Sequence, residues 1–508
     1  MALDAATVVV LALAALFIIV RYRTTRRQNQ KAPRPPSWPI IGHLHLLQQK
    51  RPIHRILSSL SESYGPIIHL QLGFRPLLVI SSSDLAKQCF TTNDKAFASR
   101  PHLAVGRQMG YNYKMLGAAP YGSYWRNIRR VCTIQIFSAT RIESFKDARS
   151  EEISALIHSL FESCQREVTP VNLKSRLSDL TFNIILRMVA NKRVSEPVHS
   201  KDFQEAQRFK EMIEESFFLA GAFEVGDYLP FLKWFDVQGI VAAMKKLHKK
   251  RDVFMQKLVI DHRENRKTYA DAQELIDVLI SATDNHQIQS DSDDDVVKAT
   301  ALGMISAGTD TSSVTIEWAL AALLQHPHFL SKAQEELDTH VGRERVIEEA
   351  DLNNLKYLQA IVKETLRLYP AAPLLVPHAS IEACSVGGFH VPAGTRLLVN
   401  AWAIHRDPAV WERPTEFDPE RFFKSAEDID VKGQHFELIP FGSGRRMCPG
   451  MSLALTIVTH TLGRLLQSFE WSIPAGTTID MREGFGLTMP KAVPLKAMIK
   501  PRIPLHFY

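Results

Sequence analysis

The segment from Val296 to about Gln325, VVKATALGMISAGTDTSSVTIEWALAALLQ, is apolar with helical periodicity throughout. As a helix it would run for roughly 45 Å at 1.5 Å per residue, enough to cross an entire domain, so the fold has to be built around it. The run SDSDDD just ahead of it places carboxylates where they face the positive end of a helix, and reads as its start. In the middle stands SAGTDTSS. Gly308 is a poor helix former, and Thr309, Thr311, Ser312 and Ser313 can bond back to the helix's own carbonyls, so the ladder is expected to loosen there. Such a kink is more often structural than functional. An acid and hydroxyls in a loosened central helix are nevertheless a place for chemistry.

The rest of the chain is consistent with a large helical body. From Asp147 to His328 it reads almost entirely as helices, and short strand candidates, GPIIHLQLG and RPLLVISSS, lie near the start. The expected fold class is mainly α with small β-sheets. At 508 residues the chain could hold two or three domains, or one α-rich domain wrapped around a single core. Five cysteines, Cys89, Cys132, Cys164, Cys384 and Cys448, form no C-x-x-C pair, which argues against a disulfide scaffold and for a reducing compartment.

The amino terminus departs from globular behaviour. Ala5 to Val20 is a run of 16 uncharged, mostly apolar residues, roughly 24 Å of helix, slightly short for a span that snorkelling arginines can extend. A cleaved signal peptide or a buried helix are the alternatives. The basic flank RYRTTRRQNQKAPR follows directly, which favours an uncleaved anchor with that flank and the remainder on the cytosolic side. Residues 21–34 hold six Lys/Arg and no acid; without them and Asp4, 55 basic residues face 53 acidic ones. The basic balance therefore points to an anionic membrane surface and not to nucleic acid. Pro33, Pro35, Pro36 and Pro39 then favour an extended spacer or a plain linker. The expected organisation is an anchor over 1–20, a basic flank and proline-rich hinge over 21–40, and one large domain over 41–508.

Glu364 and Arg367 lie at i, i+3, where an ion pair forms easily and a surface pair is the default. What raises their interest is the order that follows: a strand-like GFHVPAGTRLLVNAWAIHRDP, then FDPERF, then FELIPFGSGRRMCPG and a long apolar run. Gly442, Ser443 and Gly444 let the backbone approach a flat object closely, and Pro449 suits the first turn of a helix beginning near Gly450. That helix end and Arg446 favour a thiolate at Cys448. With no second cysteine or histidine at metal spacing, such a thiolate suits one axial bond to a metal already held by something else, as in haem.

Phe441, Gly444, Arg446, Cys448 and Gly450 stand as F-x-x-G-x-R-x-C-x-G, which resembles the haem signature of cytochromes P450. Glu364 and Arg367 are similar to that family's E-x-x-R, Arg421 in PERF to the third member of its buried charge triad, AGTDTS to its oxygen-activation turn, and YWRNIRR to its W-x-x-x-R. The anchor and hinge resemble the microsomal members, and APYGSYWRNIRRV, ETLRLYPAAPLLVPHAS, NAWAIHRDP and GLTMPKAVPLKA resemble plant A-type members, nearest to the family numbered 81.

The resemblance implies a haem b cofactor with Cys448 as proximal iron ligand, and Trp125, Arg129, His378 and Arg446 on the haem propionates beside Phe441. His378 stands where many relatives have arginine. Asp310 and Thr311 would be the acid and alcohol pair that delivers protons during O2 activation in an otherwise dry site. Glu364, Arg367 and Arg421 would be structural. Substrate would lie against Ala307 and Thr311, with Leu375, Val376 and Phe485, and with the loop VGRQMGYNYKMLGA and the helical EMIEESFFLAGAF as further walls. These apolar linings favour a hydrophobic small molecule. Arg126, Arg130 and Arg445 could dock an acidic electron donor, or form a simply solvated face.

The expected function is that of an NADPH- and O2-dependent monooxygenase in the endoplasmic reticulum membrane, a single-pass protein with its catalytic domain in the cytosol. Electrons would come through NADPH–cytochrome P450 reductase. The substrate would be a plant phenylpropanoid, flavonoid, lignan or terpenoid, with hydroxylation or the closure of a methylenedioxy bridge or ring as the outcome. A hydroperoxide-rearranging relative is disfavoured by Asp310 and Thr311, which such enzymes tend to lack. A non-catalytic haem-binding scaffold is disfavoured because nothing in a scaffold requires them.

Overall fold

The computed structural model describes residues 32–47, 51–166, 169–193, 201–265 and 274–508. The expected anchor and most of its basic flank lie outside the described residues, and no helix among those described is long and apolar enough to cross a membrane.

The long apolar segment is one helix, Asp293–Gln325, three residues longer at its start than the periodicity indicates. Ser292 caps it by accepting the Asp295 N–H at 3.4 Å. The acidic run is partly paired, with Asp294 on Arg263 at 2.8 Å and Asp295 on Lys298 at 3.3 Å. The helix packs against Leu173–Ala190, Leu275–Asp284 and Met451–Ser468, and together they form the main hydrophobic core. Its residues are buried from Val296 to Leu302 and again from Ser312 to Leu324.

The strands among the described residues are β1 (Ile67–Leu72), β2 (Arg75–Ile80), β3 (Val171–Asn172), β4 (His378–Ala379), β5 (Cys384–Val386), β6 (Phe389–Val391), β7 (Arg396–Val399), β8 (Phe469–Ser472) and β9 (Lys496–Pro501). The two strand candidates near the start are β1 and β2, paired antiparallel with Leu72 opposite Arg75. β7 joins β2 in parallel, Leu397 beside Leu78, and β4 closes that sheet with His378 opposite Leu397. The remaining strands pair as β3-β9-β8 and as the hairpin β5-β6.

The proline-rich stretch lies against this body. His69 N–H donates to the Pro33 carbonyl at 2.8 Å, and His43 Nε2 lies 2.9 Å from the Pro35 carbonyl. Prolines leave carbonyls free to accept while offering no N–H of their own.

Candidate active site

The cysteine sits where a tight loop hands over to a helix. Cys448 N–H donates to the Phe441 carbonyl at 3.0 Å, closing a turn over Phe441–Cys448 whose tip is Gly444–Arg446, and the helix Met451–Ser468 follows. Pro449 therefore precedes the helix and Gly450 is its N-cap, so proline is not in the first turn. Gly442 and Gly444 both have positive φ, 71° and 67°, the region where glycine is at no disadvantage. A Cβ on Gly444 would lie 2.5 Å from Asp94 Oδ1 and 2.8 Å from the Phe90 carbonyl. That glycine is required by a neighbouring segment of the protein, not by the approach of a ligand. Burial holds the Cys448 thiol above its ordinary pKa, and the Gly450 N–H and Arg129 offset that only in part, so these neighbours alone do not favour the thiolate that the helix end and Arg446 had suggested. The cation acting on the sulfur is thus Arg129 and not Arg446, as the spacing had suggested.

Arg446 turns instead toward Trp125, its guanidinium carbon 4.0 Å from the ring centroid, and donates to the carbonyls of Ala98 (2.5 Å), Leu116 (3.3 Å) and Ala119 (2.7 Å). Burial, then the nearby Arg100 and Arg129, drive its pKa down to about 8. Arg100, which the sequence reading missed, is buried and bonded to the carbonyls of Gly117, Val376 and Pro377, with its pKa lowered to about 9 by desolvation. Burial also lowers Arg129. Among the described residues none of the three has a carboxylate within ion-pair distance, and the buried Trp125 Nε1 has no partner. One buried and two half-buried guanidiniums gathered without an acid are costly. The group that fits them is a compact one carrying carboxylates, and haem with its two propionates has that chemistry.

His378 is buried in the same region. Its Nδ1 lies 2.8 Å from the Phe97 carbonyl, and burial with Arg100 beside it keeps its pKa well below 6.5. A neutral ring donating from Nδ1 leaves Nε2 as an acceptor.

The E-x-x-R pair is not on the surface. Arg367 grips Glu364 with two bonds of 2.7 and 2.8 Å, Arg421 adds a third at 3.1 Å, and all three side chains are essentially inaccessible. The remaining nitrogens find carbonyls: Arg367 reaches His405, Pro414 and Glu416, and Arg421 reaches Glu412 and Glu416. The triad is linked to the cysteine loop by His405, a second residue the sequence reading missed. Its Nδ1 lies 3.2 Å from the Arg367 carbonyl, and its Nε2 accepts the Ile439 N–H at 3.0 Å. Burial, Arg406 and Arg367 hold the ring neutral, with a pKa of about 3.

In mid-course the central helix uncovers a face. Gly303, Met304, Ser306, Gly308, Asp310 and Thr311 are partly exposed and Ala307 is exposed, between two buried flanks. The hydroxyls bond back as anticipated, Thr311 Oγ1 to the Ala307 carbonyl at 2.6 Å and Thr309 Oγ1 to Ile305 at 2.7 Å, yet the helix stays continuous. Two side chains from Leu173–Ala190 support it there. Thr181 Oγ1 donates to the Thr309 carbonyl at 2.9 Å, and Ile185 lies 2.8 Å from where a Cβ on Gly308 would be. Asp310 is raised by burial and accepts from Thr488 Oγ1 at 2.6 Å. Leu375, at φ 53°, places its Cδ1 4.0 Å from a Cβ position on Gly442, which brings it beside the cysteine loop. Val376 is 44% and Phe485 68% exposed.

Near Trp125 and Arg129 the surface carries an open cavity of about 360 Å³ shared with Tyr121, Arg126, Arg130 and Arg445. Arg445 is paired with Asp94 at 3.1 Å; Arg126 and Arg130 are exposed.

A family description, Cytochrome P450, matches residues 33–496, and the chain belongs to the cytochrome P450 family. It is 45% identical over 504 residues to xanthotoxin 5-hydroxylase CYP82C4 of Arabidopsis thaliana, covering 96% of both chains. It is 45% identical over 486 residues to cytochrome P450 81Q32 of Catharanthus roseus (96% and 94% covered), and 43% identical over 491 residues to the isoflavone 2'-hydroxylase of Glycyrrhiza echinata (96% of both). Among solved structures, a zebrafish cytochrome P450 with abiraterone superposes with a TM-score of 0.73 at 28% identity, over 89% of this chain and all of that one. The protein is accordingly a haem monooxygenase whose electrons derive from NADPH.

Proposed function

We propose that this enzyme hydroxylates a hydrophobic, aromatic plant specialised metabolite. The observation that carries the reading is the convergence of Arg100, Arg129, Arg446 and the unpartnered Trp125 indole, with no acid paired to them among the described residues, beside the loop that presents Cys448. In the proposed arrangement these four groups would hold the haem carboxylates, and Cys448 Sγ would bond the iron. Bound there, the haem supplies activation of O2 and transfer of one of its oxygen atoms to the substrate. His378, donating to Phe97, orders the pocket wall without serving as a cation.

On the opposite wall, Ala307 and Thr311 line the substrate cavity, with Leu375 at its edge near the cysteine loop. The exposed Val376 and Phe485 belong to its mouth. Asp310 exchanges protons with solvent, and Thr311 passes them inward and holds a water in place. Glu364, Arg367 and Arg421 keep the cysteine loop in register through His405. The aromatic substrate class is supported by relatives named for xanthotoxin and isoflavone hydroxylation. Residues 1–20 anchor the chain in the endoplasmic reticulum membrane, 21–40 form the flank and hinge, and 41–508 form the cytosolic catalytic domain that receives electrons from the reductase.

The test is the mass change of products when microsomes holding this chain and a plant reductase are given NADPH and a panel of phenolics and terpenoids. Gain of one oxygen on a phenolic supports the proposal, whereas loss of two hydrogens assigns bridge or ring formation instead. Thr311→Ala should release more peroxide and less product per NADPH. Unaltered coupling in that variant would remove Thr311 from proton delivery.

A further inference from the structure

Asp310 is not held by its own helix. The Thr311 hydroxyl, its neighbour, is committed to the Ala307 carbonyl. The bond that Asp310 Oδ2 does accept comes from Thr488, a residue 178 positions away and only 8% exposed.

The turn that carries Thr488 is fixed from several sides. Gly484 N–H donates to the Pro490 carbonyl at 2.7 Å, Met489 N–H to Ala371 at 3.0 Å, and Trp318 Nε1 of the central helix to the Met489 carbonyl at 2.8 Å. Just before it, Glu483 is clasped by His54, Arg55 and Trp402. A hydroxyl presented from such a turn has little freedom to leave its partner.

The other groups acting on Asp310 are Lys174, which favours its charged form, and Glu214, which opposes it; Glu317, two turns along the helix, feels Asp310 in return. None of these is bonded to the carboxylate.

We propose that Thr488 is a positioning residue for the reaction, its hydroxyl holding the Asp310 carboxyl in the orientation from which that acid exchanges protons. The inference rests on the role given to Asp310 above. A donor on a carboxylate favours the charged form, so the same bond that orients the acid also limits how far burial can raise it.

The experiment is infrared titration of the full-length, haem-loaded protein, with the Asp310 carboxylic acid band identified by its loss in Asp310→Asn. In Thr488→Val the band's midpoint should rise by about one pH unit, and Thr488→Ser should restore it. Thr488→Ala serves in place of valine if that variant fails to bind haem. In parallel, peroxide released per NADPH is measured with reductase and no added substrate; its pH profile should move upward in Thr488→Val and return in Thr488→Ser. A wild-type midpoint and profile in Thr488→Val, with Asp310→Asn altered, would overturn the role of Thr488 alone. A wild-type peroxide yield in Asp310→Asn would overturn both roles.

Discussion

At the scale of single residues, the site depends on cations whose partners are backbone carbonyls. Carbonyl bonds satisfy the donors of Arg446 and Arg100 without neutralising them, and that leaves their charge available to an anion. Arg446→Ala would strand three partly buried carbonyls and remove the cation over Trp125, at up to about 1–3 kcal/mol for each acceptor left unsatisfied. The expected result is protein with strongly reduced haem content, read as Soret absorbance per mole of chain, and Arg100→Met should lower it too. Trp125, Arg129, Arg446 and Cys448 were singled out in the sequence because each belongs to a short local motif. Arg100 was not, because its meaning comes from Val376 and Pro377, more than 270 positions away. Only the folded chain sets that guanidinium beside the other two.

At the scale of elements, the same distinction separates the helices from what joins them. The long central helix could be read from periodicity and its acidic start, and β1 and β2 from alternation, since these are local properties. For Glu364 and Arg367 spacing alone left a surface pair as the default, and only the resemblance gave the buried triad with Arg421 that the structure holds: spacing on a helix face says that two side chains meet, not which side faces the core. His405 was likewise unreadable, because its two bonds connect the helix Lys356–Leu368 to the cysteine loop. Its pKa of about 3, against an ordinary 6.5, makes that link acid-labile. Below pH 6.5 the unfolded chain takes up a proton that the folded chain refuses, so the stability it contributes is whole above that pH and is lost as pH falls toward 3, by up to about 1.4 kcal/mol per unit. Glu349 and Glu483, held down to about 2 by Arg149 and by His54 with Arg55, add acid lability only below their ordinary 4.5. Urea unfolding between pH 6.5 and 4.5 should therefore show a steeper loss of stability in the parent than in His405→Gln, by about one proton.

At the scale of the whole molecule, charge is divided between two ends with different tasks. Almost all the excess of basic over acidic residues lies in 21–34, next to the apolar run, so the domain itself is close to neutral and a partner must be drawn by local charge. Arg126 and Arg130 are exposed cations lining the same cavity as Trp125 and Arg129, whereas Arg445, which the sequence grouped with them, is partly spent on Asp94. Rim charges chiefly govern the rate of encounter and its dependence on salt. The double variant Arg126→Glu, Arg130→Glu should keep its haem, because both side chains are exposed and neither belongs to the group proposed to hold the haem carboxylates. Its reduction by the reductase at low ionic strength should slow by about tenfold, and raising salt, which slows the parent, should leave the variant unchanged or faster. Stopped-flow reduction at several ionic strengths measures both. Parallel salt curves for parent and variant would mean that the electron donor docks elsewhere.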